Sequence, residues 1–208
     1  MYTVEVSKRR FLSAMQYFFD KAVITLDSEH NNLWVSGVDT RIRVPLLKQV
    51  GKNKIKPFYL SRVCFEINDV TSDRLHLTFY KKEKCVIIEE TFVKEWAMRP
   101  IPHSLEFIER EAIEGQKYLL PTLHFDLMSN LQCQDGTLTI DCEAVAGTDL
   151  IRRTFIKYDT LYPNFKLSQF AMNNLKNFND TTITMQMCEN KHILFKGAYF
   201  HLYAVNQV

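Results

Sequence analysis

Glycine is scarce in this sequence, with six among 208 residues, and none of the six opens a GxxxxGK[ST] phosphate loop or a GxGxxG turn. Nucleotide hydrolysis and dinucleotide chemistry therefore lack the tight backbone cradle that both use around phosphate. HExxH and GxSxG are also missing, which leaves zincin and α/β-hydrolase chemistry without support. The five cysteines, Cys64, Cys85, Cys133, Cys142 and Cys188, form no CxxC pair and have no HxxxH nearby. An odd, scattered set of this kind is expected to be reduced and used for packing, with no structural zinc. No stretch approaches about 18 consecutive apolar residues. The opening "MYTVEVSKRRFLSAM" has no basic region followed by an apolar run and a cleavage site. The expectation is an intracellular protein with no membrane partner, in the cytoplasm or the nucleus alike.

What is present is an ordinary globular balance. Hydrophobic residues make up 46% and charged residues 24%, enough to bury a core. The length allows one domain or two. A formal charge of +2 leaves nucleic-acid binding to the distribution of Lys and Arg, since clustering and not the total creates an attractive surface.

"MYTVEV" alternates as a strand does, and Ser7 stands at an N-cap position before a helical pattern reaching about Asp20. Phe11, Leu12, Met15, Phe18 and Phe19 are predicted to share its core face. Arg9, Arg10, Ser13, Gln16, Tyr17 and Asp20 fall on the other side, with Lys8 nearer the apolar edge, a face that suits solvent or a ligand. Strands are expected at "KAVITLD", "NLWVSGVD" and "RIRVPLL", then at "IKPFYLS". A short helix follows at Leu60, Val63, Cys64 and Ile67, and "RLHLTFYKKEKCVIIEETF" reads as a hairpin. Two prolines and many charges in "KEWAMRPIPHSLEFIEREAIEG" mark a connection. Beyond it come a strand at "QKYLLPT", a short helix through Leu123, Leu127 and Leu131 capped by Thr122, and strands at "GTLTIDCEAV" and "DLIRRTFIKY". A helix begins near Ser168 with Leu167, Ala171, Leu175 and Phe178 inward and Gln169, Asn173, Lys176 and Asn177 outward, and "TTITMQMCENKHILFKGAYFHLYAV" supplies the last strands.

Asp135, Asp141 and Glu143 are close enough in sequence to suggest a divalent metal, although Asp135 belongs to a turn and surface carboxylates account for the pattern. The six histidines are dispersed, and none stands beside an evident nucleophile and orienting acid, so no catalytic histidine is assigned. The 15 Phe, 9 Tyr and 2 Trp mostly fall on the apolar period of their elements, which favours packing over base stacking.

The element order of the first half recurs in the second. "LWVSGVDTRIRVPLL" is echoed by "EAVAGTDLIRRTFI", where Gly37 and Asp39 match Gly147 and Asp149. With its two strand-helix-sheet units, the chain resembles the sliding DNA clamps: proliferating cell nuclear antigen, the bacterial polymerase β clamp and the phage clamps. The resemblance implies an α+β, DNA-clamp-like fold with two repeated domains, 1–95 and 116–208, joined by a connection over 96–115. Each domain would carry antiparallel sheets and two helices on one face.

By the same resemblance the protein is a non-enzymatic processivity factor that binds double-stranded DNA without sequence preference and partners a DNA polymerase and a clamp loader. It would need no cofactor and no metal. The two-domain length is similar to that of phage and eukaryotic clamps, which implies a homotrimeric ring; viral processivity factors of the herpes type look similar at domain level without closing one. The implied DNA-binding residues are Lys8, Arg9, Arg10, Ser13 and Gln16 on the first helix, Arg62 on the second, and Gln169, Asn173, Lys176 and Asn177 on the fourth. Phe65, Glu66 and Asp69 on the second helix, and Phe125, Asp126 and Ser129 on the third, suit phosphate poorly. They keep open a protein-interaction scaffold or inhibitor of the same fold that leaves DNA alone. An enzyme using the carboxylates near Asp141 is the third reading.

Overall fold

The alternating "YTVEVS" forms strand β1 (Tyr2–Ser7), with Tyr2, Val4 and Val6 buried along one face. The computed structural model describes residues 2–19, 21–51, 55–61, 67, 70–80, 84–89, 92–121, 128–142, 152–157, 164–176, 182–189 and 192–205. The chain divides into two units, Met1–Ile108 and Glu109–Val208.

In the first unit β1 is followed by helix α1 (Lys8–Tyr17), β2 (Lys21–Asp27), β3 (Asn32–Ser36), β4 (Thr40–Val50), β5 (Phe58–Ser61), β6 (Arg74–Tyr80), β7 (Lys84–Glu89) and β8 (Phe92–Ala97). The strands hydrogen-bond in the order β8-β7-β6-β1-β4-β3-β2-β5, and each pair is antiparallel. β4 serves two partners in succession. Arg41 through Pro45 pair with β3, and Leu46 through Val50 pair with β1. Pro45 stands at the changeover, where its missing N–H costs the ladder least. The Leu46 N–H turns to the carbonyl of Asn31 at 2.8 Å.

The second unit contains β9 (Ala112–Pro121), β10 (Met128–Gln134), β11 (Thr137–Cys142), β12 (Arg152–Lys157), β13 (Phe165–Lys166), helix α2 (Gln169–Lys176), β14 (Thr182–Cys188), β15 (His192–Lys196) and β16 (Phe200–Val205). Here the orders are β16-β15-β14-β9 and β12-β11-β10-β13. Element for element these are the first unit's β8-β7-β6-β1 and β4-β3-β2-β5. The duplication therefore extends to strand order, which is a stronger constraint than the shared glycines and aspartates. The "AGTD" half of the sequence echo falls between β11 and β12, where "SGVD" falls between β3 and β4, but residues 143–151 lie outside the described residues.

Each unit buries its own core. In the first, Phe11, Ala14 and Met15 of α1 pack with Val4, Val6, Leu33, Val44 and Leu77. In the second, Ala171, Met172 and Leu175 of α2 pack with Met185, Phe195 and Leu202. A fully buried Phe or Met side chain contributes roughly 1.5–3 kcal/mol, so these faces fix both helices to their sheets.

Several sequence expectations change. α1 stops at Tyr17, and Phe19 takes a left-handed φ of 50° and is 87% exposed, not part of the core face. The chain has to leave the helix there so that Lys21 can start β2, whose N–H bonds the Phe18 carbonyl at 3.0 Å. Tyr17, expected outward, is half-buried, and burial pushes its hydroxyl pKa up against a hydrogen bond with Thr40. The helix expected through Leu131 is not found there: Leu131 and Cys133 point into the core from β10. The spacing Leu127 to Leu131 suits a helix, but Leu131-Gln132-Cys133-Gln134 also alternates at period two, and sheet pairing decides between them. Residues 122–127, including Thr122, Leu123 and Leu127, lie outside the described residues, as do Arg62, Val63 and Cys64 of the expected second helix. The charged connecting stretch overlaps regular structure at both ends, with Lys94–Ala97 in β8 and Ala112–Gly115 in β9.

"SGVD" closes the β3–β4 hairpin, where the Gly37 N–H donates to the Thr40 carbonyl at 2.8 Å. A Cβ on Gly37 would lie 2.9 Å from Cε1 of Phe18, so the glycine is required by the aromatic ring at the end of α1. Gly37→Ala is expected to destabilise the protein by about 1–3 kcal/mol through overpacking, measured by urea unfolding. Most of that loss should return in the Gly37→Ala, Phe18→Leu double variant.

Candidate nucleic-acid interface

α1 begins where three hydrogen bonds hold it. The Ser7 hydroxyl caps the helix by accepting from the Arg10 N–H at 3.5 Å, as the sequence predicts. The Lys8 N–H donates to the Asp73 carbonyl at 2.9 Å, and Lys8 Nζ donates to the Val70 carbonyl. Lys8 is therefore spent in part on fixing the segment before β6 against the helix start. Its neighbours Arg9 and Arg10 are exposed, together with Ser13 and Gln16. Arg9, Ser13 and Gln16 follow each other at i, i+4 and i+7, and Arg10 lies beside them, so one helix side presents two guanidinium groups and two neutral hydrogen-bonding groups. The opposite side is nailed to the core by Phe11 and Met15.

α2 has a different character. Ser168 caps it by accepting from the Ala171 N–H at 3.1 Å. Gln169 and Asn173 are exposed on one side, and Gln169 Nε2 donates to Asn173 Oδ1 at 3.1 Å. Phe170, which the periodicity did not single out, is 75% exposed between them. Lys176 ends the helix, whereas Asn177 and Arg62 lie outside the described residues. Of the ten sequence-predicted residues, the structure gathers Lys8, Arg9, Arg10, Ser13 and Gln16 on α1, and Gln169, Asn173 and Lys176 on α2. The signal that would have found Phe170 is its position one residue before the buried pair Ala171 and Met172, which turns it away from the core.

The strand pair β1–β6 also holds a hydrogen-bonded trio. Glu5 accepts from Arg74 at 2.8 Å and is hydrogen-bonded to His76 Nε2 at 3.0 Å. His76 is its direct partner across β1 and β6, with Arg74 two residues along. The hydrogen bond with His76, followed by that with Arg74, holds the Glu5 carboxyl below its ordinary value of 4.5. Among the described residues no group of three His, Cys, Asp or Glu is placed to hold a metal. Asp135 forms a tight hairpin turn with Gly136, both at positive φ. Asp141 stands opposite Arg153 in the β11–β12 ladder, and Glu143 lies outside the described residues. Among the described residues no helix is long and apolar enough to cross a membrane.

Two units of the same strand order, each with a helix packed on antiparallel sheets, define the fold of the sliding DNA clamps. No family model and no curated protein matches the sequence. Solved structures match it closely in shape. A DNA polymerase III β subunit from Thermotoga maritima superposes with a TM-score of 0.67 at 10% identity, covering 99% of this chain and 64% of that one. A sliding clamp from Pseudomonas aeruginosa, determined with griselimycin bound, gives 0.69 at 9% identity over 99% of this chain and 64% of that one. The DNA polymerase III β chain from Streptococcus pneumoniae gives 0.69 at 10% identity over 100% and 65%. The chain thus spans somewhat less than two thirds of the length of these clamps while sharing their fold.

Because the Glu5 pKa is lowered on folding, its ionised form stabilises the protein. That contribution is complete above the ordinary carboxylate value and is lost as the pH falls through the lower folded value. Unfolding free energy measured from pH 6 down to pH 2 should therefore show an acid-side loss that is reduced in Glu5→Gln. Arg74 is 67% and His76 48% exposed, so the difference should shrink in high salt.

Proposed function

We propose that this chain is a sliding-clamp-like processivity factor that binds duplex DNA without sequence preference and tethers a DNA polymerase. The observation that carries the reading is the α1 row of Arg9, Arg10, Ser13 and Gln16, exposed on a helix of a clamp fold. A protein that holds DNA and slides needs phosphate contacts without base readout, and long cations beside small neutral donors provide them. The Ser7 cap and the Lys8 contacts fix the row by its backbone, so both guanidinium groups remain on a rigid element. Lys176 would add charge from α2, while Gln169 and Asn173 offer neutral contacts; Arg62 and Asn177 complete the proposed set. The role is non-catalytic and needs no cofactor.

The solved clamps that share the fold are named as DNA polymerase III β subunits, and a polymerase partner is carried over from them as part of this proposal. A homotrimeric ring follows from treating the chain as two of six clamp units, with a clamp loader to open it. The domain limits proposed from sequence, 1–95 and 116–208 with a connection over 96–115, belong to the same reading.

A second reading has its own observation. Phe170 is exposed between Gln169 and Asn173, which bond each other, and an exposed aromatic side chain suits a protein partner better than phosphate. In that case the same fold is an interaction scaffold or inhibitor without DNA.

Equilibrium binding to a duplex of arbitrary sequence, followed across a salt series, separates the two. Each phosphate contact contributes about 0.9 to the slope of log affinity against log salt. The Arg9→Gln, Arg10→Gln double variant should bind more weakly, with a slope smaller by about 1.8. Affinity that stays flat with salt, or a double variant that binds like the parent, would exclude the DNA reading in favour of the scaffold. Light scattering of the pure protein should give three chains per particle.

A further inference from the structure

α2 turns an aromatic ring outward beside its core face. Ala171, Met172 and Leu175 are buried, while Phe170, one residue ahead of the first two, is 75% exposed. A ring left that far in solvent forgoes most of the roughly 1.5–3 kcal/mol that burying it would return, so packing does not account for its place. Its neighbours on the helix surface, three and four residues on, are Asn173 and Asn174. Gln169 precedes it, and Gln169 Nε2 donates to Asn173 Oδ1 at 3.1 Å, so two linked carboxamides flank the ring in sequence. From Asn164 to Phe178 the chain reads "NFKLSQFAMNNLKNF", with Lys166 and Lys176 and neither Asp nor Glu. Lys166, at the end of β13, is exposed.

The surroundings of the ring select its ligand. A phosphate gains nothing from an aromatic face. The apolar anchor of a protein interface sits in a desolvated pocket, whereas among the described residues the exposed positions of α2 beside Phe170 are Gln169 and Asn173, and no apolar rim encloses the ring. A nucleic-acid base has a π face for the ring and a hydrogen-bonding edge for the carboxamides. The acid-free, lysine-bearing stretch suits the phosphates on either side of that base.

We propose that this side of α2 binds single-stranded DNA by stacking one unpaired base on Phe170, with Gln169 and Asn173 hydrogen-bonding the base edge. Such a site rests on the DNA-binding role of the chain and extends it to a second form of DNA, because a base inside a duplex shows no free face to a ring. Every base has a π face, so the site needs no sequence preference.

Equilibrium binding of two single strands of equal length to the intact chain, oligo-dT and an abasic strand with the same phosphates, isolates the part that depends on bases. The dT strand should bind at least about fivefold more tightly, the gain from one stacked base. Phe170→Ala should remove that gain and leave the abasic strand and a blunt duplex at the parent's affinity. Phe170→Tyr keeps a ring and should bind dT like the parent, while Phe170→Leu keeps only an apolar side chain and should behave as Phe170→Ala does. Absence of dT binding, equal binding of dT and abasic strands by the parent, a Phe170→Ala variant that keeps the dT preference, or a Phe170→Leu variant that binds dT like the parent would overturn the stacking site. With salt-dependent duplex binding intact, such a result removes the stacking site alone and leaves the ring to a protein partner; duplex binding that is flat with salt removes the DNA role as well.

Discussion

Within the first unit β4 pairs with β3 and then with β1, and that unit is organised around the change. The first half of β4 completes the ladder of β3 and its second half completes that of β1. Pro45, which has no backbone donor to lose, stands at the change of partner, and a bulge in the β1 register between Glu5 and Val6 absorbs the offset. Because β1 is held by β4 on one side and β6 on the other, the helix that continues directly from it has a fixed origin. The apolar face of α1 can reach the core from that origin only in one rotation. That rotation turns Arg9, Arg10, Ser13 and Gln16 outward.

The far end of α1 is fixed by a different contact. Phe18 lies against Gly37 in the β3–β4 turn, with Tyr17 edge-on to Phe18 at a ring separation of 4.9 Å. A helix tied at its start through Ser7 and Lys8 and at its end through Phe18 holds its outward row in place through its backbone. The hairpin motif and the basic helix are therefore parts of one arrangement: the glycine at the turn admits the ring that sets the helix.

Element order and core faces were legible in the sequence wherever one periodicity had no competitor. β1 carries a clear period-two pattern, the β2, β3 and closing strands read as apolar extended runs bounded by turn residues, and Ser7 and Ser168 announced their helices. The clamp resemblance was legible from the repeated order of elements and not from shared residues, which agrees with solved clamps matching in shape at 9–10% identity. The pattern failed where two periods fit the same residues, as at Leu131. It failed again at Phe19, whose spacing belongs to the core face but whose backbone has already left the helix. Phe170 was placed on neither face by the sequence, although its position one residue before the inward Ala171 turns it away from the core.

By itself the sequence determined most of the buried face of α1 and of β1, where α1 and α2 start, and that one order of elements is used twice, because hydrophobic periodicity and capping are local properties of the chain. Tertiary structure alone decided that β4 passes from β3 to β1 along its length, that Lys8 bonds the Val70 carbonyl, and that Arg41 is stacked between Trp34 and Phe107. Those outcomes depend on residues tens of positions apart meeting at van der Waals distance, and no spacing within either segment records the meeting.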